Sequence, residues 1–202
     1  MNKKRYEQIN ETLYEEVLAN GLKVYILPKK DFHKTYGLFS TNYGSIDNVF
    51  GYQGESLKTV PDGIAHFLEH KLFEKEDGDI FQKFGEQGAS ANAFTSFTRT
   101  SYLFSATDQV KENLLTLLDF VQEPYFTPET VEKEKGIIGQ EIQMYQDDPV
   151  WRQFFGILNN LYPKHPLHID IAGTVESIDQ ITADDLYTCY ETFYHPSNMT
   201  LF

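Results

Sequence analysis

The sequence predicts a single domain of mixed β-strands and α-helices. Two β-rich runs, residues 12–19 and 22–27, flank Asn20-Gly21, a dipeptide favoured in tight hairpins. Long helical stretches follow over 109–121, 128–146, 150–161 and 182–193, with Pro124 and Pro149 as stops. No low-complexity segment, internal repeat or linker divides the 202 residues. Aromatic residues make up 15% of the chain, enough for a sizeable core.

Met1-Asn2-Lys3-Lys4-Arg5 is basic, but Tyr6-Glu7-Gln8 follows rather than an apolar run, so it does not read as a signal peptide. The Asn20-Gly21 hairpin is expected to take a type I′ turn. Pro28 to Asp31 ends the second strand. A third strand over Thr35 to Tyr43 is closed by Gly44. Residues 48–61 form a polar loop, Lys75 to Asp79 a charged turn, and Ile80 to Phe84 a short helix stopped by Gly85. Gly88 to Ser96 is rich in small residues; it is either an exposed sheet edge or a plain connector. Ser101 to Ala106 is a strand.

The helix from Gln109 should turn Leu114, Leu115, Leu117, Leu118 and Val121 inward. Thr127 and Pro128 are the N-cap and first residue of the next, and Thr182 caps the last. Residues 162–172 are a loop. The tail, Asn198 to Phe202, opens an apolar strand, which suggests a piece of a longer protein.

A net charge of −13 argues against a nucleic-acid surface, which needs clustered Lys and Arg. Cys189 is the sole cysteine, so no internal disulfide forms, and a reducing compartment is expected. No run of about 20 apolar residues offers a membrane span.

The chemistry concentrates in Gly63-Ile64-Ala65-His66-Phe67-Leu68-Glu69-His70, a predicted helix with Pro61 and Asp62 as start signals. His66, Glu69 and His70 stand at i, i+3 and i+4 and share one face. Two imidazoles one turn apart can grip one metal ion, with a carboxylate beside it: H-x-x-E-H, a zinc-peptidase motif in inverted order. The alternative is a solvated face. Against it, Ile64, Phe67 and Leu68 form the opposite, core-facing side.

A hydrolytic zinc site needs a third protein ligand and an open position. Glu134 and Glu141 lie seven apart on one predicted helix face, with Gly136 and Gly139 between them. Glycine inside a helix costs about 0.5–1 kcal/mol relative to Ala, so a pair suggests close helix approach. That approach would bring Glu141 to the metal and set Glu134 behind it. Two solvated acids remain the other reading. His33, His165, His168 and His195, in loops beside Pro or Lys, are expected at the surface.

The strings Gly63 to Lys71, Gly88 to Thr95, Val131 to Ile138 and Glu141-Ile142 resemble bacterial, cytoplasmic members of the pitrilysin/insulinase family of inverted-motif zinc peptidases. The resemblance runs from about Leu13 to the end. It implies an α+β fold, a mostly antiparallel sheet with helices packed on one face. It implies one zinc ion on His66, His70 and Glu141, Glu69 as general base and Glu134 as auxiliary acid. Asn92 and Ala93 fall where the family binds the substrate backbone by strand addition. Such a chain would be the N-terminal catalytic half of a two-half protein, cleaving peptides or unfolded polypeptides. The other half supplies an Arg/Tyr pair, and the partner is the same chain or a related one. Two rivals stand beside the peptidase: a non-catalytic partner subunit, and a domain with a structural zinc.

Overall fold

The computed structural model describes residues 1–51, 54, 56–76 and 78–202. Among these, seven strands share one sheet: β1 (Asn2–Tyr6), β2 (Glu11–Val17), β3 (Lys23–Ile26), β4 (Thr35–Thr41), β5 (Ala89–Thr95), β6 (Thr100–Ala106) and β7 (Met199–Leu201). Their spatial order is β1-β2-β3-β7-β4-β6-β5, antiparallel throughout except for the parallel β3–β7 pair. The tail strand is thus central, not peripheral, and Met199 is buried.

Residues 2–6, read above only as a basic terminus, form an edge strand. All five are exposed. A strand with no buried face has no apolar alternation to betray it, and its charges discourage further pairing. The hairpin after β2 also differs from expectation. Gly21 is left-handed (φ 88°) but Asn20 is not, whereas a type I′ turn needs both. Gly21 N–H donates to Leu18 O, and Leu22 N–H donates to Asn20 Oδ1, so the asparagine serves through its side chain.

The helices are α1 (Ile64–Phe73), α2 (Ile80–Glu86), α3 (Val110–Gln122), α4 (Pro128–Asp147), α5 (Pro149–Leu161), α6 (Val175–Asp179) and α7 (Ala183–Phe193). Val49–Phe50 pairs with Lys58–Thr59 within the predicted 48–61 loop, and Glu74–Lys75 pairs with Gly78–Asp79 at the charged turn. Residues 52, 53 and 55 of that loop and Asp77 of that turn lie outside the described residues. Thr127 and Thr182 cap α4 and α7 through Thr130 N–H and Asp185 N–H, each at 3.2 Å. The unpredicted α6 carries the same signal, Thr174 capped to Ser177.

The core lies on one face of the sheet. Phe39, Tyr102 and Phe104 meet Phe67, Leu68 and Leu72 of α1 and Leu117 and Phe120 of α3. The fold is therefore α+β, with helices laid on a mostly antiparallel sheet. On α3 the buried stripe is Asn113, Thr116, Leu117, Phe120 and Val121, while the expected Leu115 is 48% exposed. Two polar residues disguised the stripe: Asn113 and Thr116 bond Gln87 at the end of α2.

The glycine argument for α4 fails. A Cβ at Gly136 or Gly139 would meet nothing within 4 Å beyond its own helix. Both positions have room for a Cβ, and neither has positive φ. Gly136→Ala and Gly139→Ala are therefore expected to stabilise the chain by about 0.5–1 kcal/mol each. Chemical denaturation with an unchanged m-value would read this; lower midpoints in both would contradict it.

Candidate metal centre and active site

α1 is buried on all sides rather than amphipathic; among its residues His70 alone is half-exposed. The apolar neighbours Phe67, Leu68 and Leu72 fix the helix in the core. His66 and Glu69, also buried, face a cleft of about 770 Å³. The expected start signals act differently. Gly63 is the left-handed N-cap residue, without a side-chain cap, and Asp62 instead accepts from Asn48 Nδ2 at 2.8 Å. Gly63 lies against Ala172 and Gly173 against Asp62, so two backbones touch where side chains would keep them apart.

α4 brings Glu141 to the same cleft. Its Oε1 is 3.7 Å from His66 Nε2 and its Oε2 3.4 Å from His70 Nε2. Among the described residues, His66, His70 and Glu141 are the one group of three that could hold a metal ion, with ligand atoms within 4.8 Å of one another. Two imidazole nitrogens and one carboxylate fit the donor set of a catalytic zinc site with a position left open. Glu134, two turns back and buried, lies 3.0 Å from His70 Nδ1. With Glu134 accepting at Nδ1, the neutral His70 ring would present its Nε2 lone pair on the Glu141 side. His66 Nδ1 is buried without a partner among the described residues. His33, His165 and His195 are exposed.

Glu69 is not part of the three-donor group. Its Oε2 accepts from Thr95 Oγ1 at 2.7 Å, on β5. Burial raises its pKa above the usual carboxylate range, against the Thr95 bond and the His70 charge. Among the described residues β5 is an open edge of the sheet, paired with β6 alone. Its alternation puts Ser90, Asn92 and Phe94 outward and Ala89, Ala91 and Ala93 toward the helices. Ala93 N–H donates to its neighbour Asn92 Oδ1 at 2.9 Å, so this backbone donor lies free of the β6 ladder. Asn92, Ala93 and Phe94 line the cleft that holds the histidines.

The sequence pattern assigns no site role to Thr95, Tyr145, Trp151 or Asp170. Thr95 was legible within the string it ends. Tyr145 stands at i+4 from Glu141 on α4, a spacing the sequence carries; Trp151 and Asp170 reach the site across a helix boundary and a loop, which no local pattern encodes.

Burial, then the neighbouring His70, lowers the His66 pKa to about 3. His70 moves the other way: burial lowers it, but the Glu134 bond and the charges of Glu69, Glu134 and Glu141 outweigh this. A depressed histidine binds its proton more readily unfolded than folded. The metal-free chain should therefore lose stability as pH falls from about 6.5 toward 3 through His66. The raised His70 contributes below pH 6.5 and loses that contribution as pH rises through its folded pKa. Thermal melts in EDTA at pH 7 and 4.5 should show a smaller acid loss in His66→Gln than in the parent. Equal losses would contradict the assignment.

A family model described as insulinase, Peptidase family M16, matches residues 57–175. The zinc protease YmfH of Bacillus subtilis (strain 168), described as uncharacterized, is 70% identical over 98% of this chain and 46% of its own length. A crystallised protein of Alicyclobacillus acidocaldarius, described as a candidate M16-like peptidase, is 50% identical with a TM-score of 0.90, over 95% of this chain and 45% of that one. Pitrilysin shares the fold at a TM-score of 0.80 and 19% identity, over 98% of this chain and 21% of its own. The chain thus spans about half the length of the curated relatives it matches most fully. From its motif, its fold and these matches, the chain belongs to the insulinase family of peptidases, Peptidase family M16.

Proposed function

We propose that this chain is the metal-carrying half of a zinc endopeptidase or oligopeptidase acting on peptides or unfolded polypeptides. The observation that carries the reading is the convergence of His66, His70 and Glu141, with Glu69 beside them, in a cleft bordered by an open strand edge. The ligands would be His66 Nε2, His70 Nε2 and the Glu141 carboxylate, holding one ion. When bound there, zinc supplies Lewis acidity toward water and a peptide carbonyl.

The chain's own residues do the rest. Glu69 takes a proton from the attacking water and passes it to the leaving amine. Thr95 holds that carboxylate at Oε2 and leaves Oε1 for the proton. Glu134 fixes the His70 ring and its tautomer. The substrate lies as an added strand along β5, where Asn92 releases Ala93 N–H to its backbone. The chain's span of about half its relatives supports a two-half protein in which the second half completes the substrate cleft.

Zinc content by elemental analysis tests the reading. The parent chain is expected to hold one zinc, and His70→Ala to lose it. Cleavage of a fluorogenic peptide set should need the rest of the longer protein beside this chain. Full zinc occupancy in folded His70→Ala would refute the ligand assignment. Zinc bound without cleavage, even by the whole protein, would point to a non-catalytic subunit.

A further inference from the structure

Glu141 does not stand alone on α4. Tyr145, one turn later, donates its hydroxyl to Glu141 Oε1 at 2.8 Å. The Tyr145 ring stacks on Trp151 of α5, centroids 4.6 Å apart and planes 18° from parallel. Trp151 Nε1–H donates to Asp170 Oδ2 at 2.5 Å, and Asp170 Oδ1 accepts from Ala172 N–H at 3.0 Å. Ala172 is the residue whose carbonyl lies against Gly63, at the start of α1. Segment 170–173 therefore touches both parts of the candidate metal centre: α1 directly, and Glu141 through Trp151 and Tyr145.

We propose that Tyr145 is a positioning residue for zinc, held by Trp151 and Asp170, which sets the Glu141 carboxylate against His66 and His70. The proposal rests on the zinc reading above. A free glutamate side chain has three rotatable bonds, and fixing it before the metal arrives removes an entropic cost from binding. The hydroxyl occupies one lone pair of Oε1 and so also orients the plane of the carboxylate. The aromatic stack limits the ring to one plane, and Asp170 fixes the indole that it stacks on.

Zinc affinity measured against a chromophoric chelator tests this on the 202-residue chain, with circular dichroism to verify folding. Tyr145→Phe keeps the ring and its stack and removes only the hydroxyl. It is expected to weaken zinc about 10–100-fold, the usual effect of losing a partner that orients a ligand. Asp170→Asn keeps the shape but offers one acceptor oxygen to two donors. It should weaken zinc less, and add little on top of Tyr145→Phe because both act through one chain of contacts. Trp151 is the sole tryptophan. Its fluorescence should respond to zinc in the parent and respond less in Tyr145→Phe. Parental zinc affinity in Tyr145→Phe, with Glu141→Gln impaired, would overturn the positioning role alone. A parent that binds no zinc, or a Glu141→Gln with parental affinity, would overturn the zinc reading and this inference with it.

Discussion

Glu69→Gln is expected to lower peptide hydrolysis by the full-length protein about 10²–10⁴-fold, the usual contribution of a positioned acid–base group, and to leave zinc content at the parental level. The amide has the shape of the carboxylate, and its oxygen can still accept from Thr95 Oγ1, which bonds Oε2 at 2.7 Å. It cannot accept a proton from water at neutral pH. Burial raises the Glu69 pKa, which makes the native carboxylate a stronger base than a solvated one. Metal retention follows from geometry, because the three-donor group is His66, His70 and Glu141 without Glu69. Elemental analysis and a fluorogenic peptide assay on the same preparation separate the two effects. Parental turnover in Glu69→Gln would remove Glu69 from the chemistry; loss of zinc would make it a ligand instead.

What the sequence disclosed about this site was its spacing. His66, Glu69 and His70 share a face because a helix has 3.6 residues per turn, and Glu134 and Glu141 share one for the same reason. The structure brings the two faces together, though not through the glycines that suggested it: a Cβ on Gly136 or Gly139 would meet nothing within 4 Å among the described residues outside α4. The close backbone approach is at Gly63 and Gly173 instead, one at the N-cap of α1 and the other in a loop. Local pattern could not reveal this, because the two glycines are 110 positions apart and neither interrupts a periodic run. The same holds for β1, whose five exposed residues carry no alternation, and for α3, where Asn113 and Thr116 occupy core positions by bonding Gln87. Elements with capped ends and apolar periodicity, such as α4 and α7, were legible to within a residue or two.

Gly63→Ala tests the long-range contact, and it is expected to destabilise the chain by roughly 3 kcal/mol or more. A Cβ there would stand 2.3 Å from Ala172 O and 2.8 Å from Ala172 C. Both are backbone atoms, so no side chain can swing aside. The φ of 88° adds the cost that any L-residue meets in the left-handed region. Relief requires α1 and segment 170–173 to separate, and Asp170 belongs to that segment. The damage should therefore reach the candidate metal centre as well as the fold, so that the folded fraction of Gly63→Ala is expected to bind zinc more weakly than the parent. Gly85→Ala in α2 is the control: its Cβ would meet nothing within 4 Å and its φ is not positive, so its midpoint should equal or exceed the parent's. A parental denaturation midpoint in Gly63→Ala would show that the two segments can part at no cost. In that case the spacing between α1 and Glu141 would have to be set by the core beneath α1 alone.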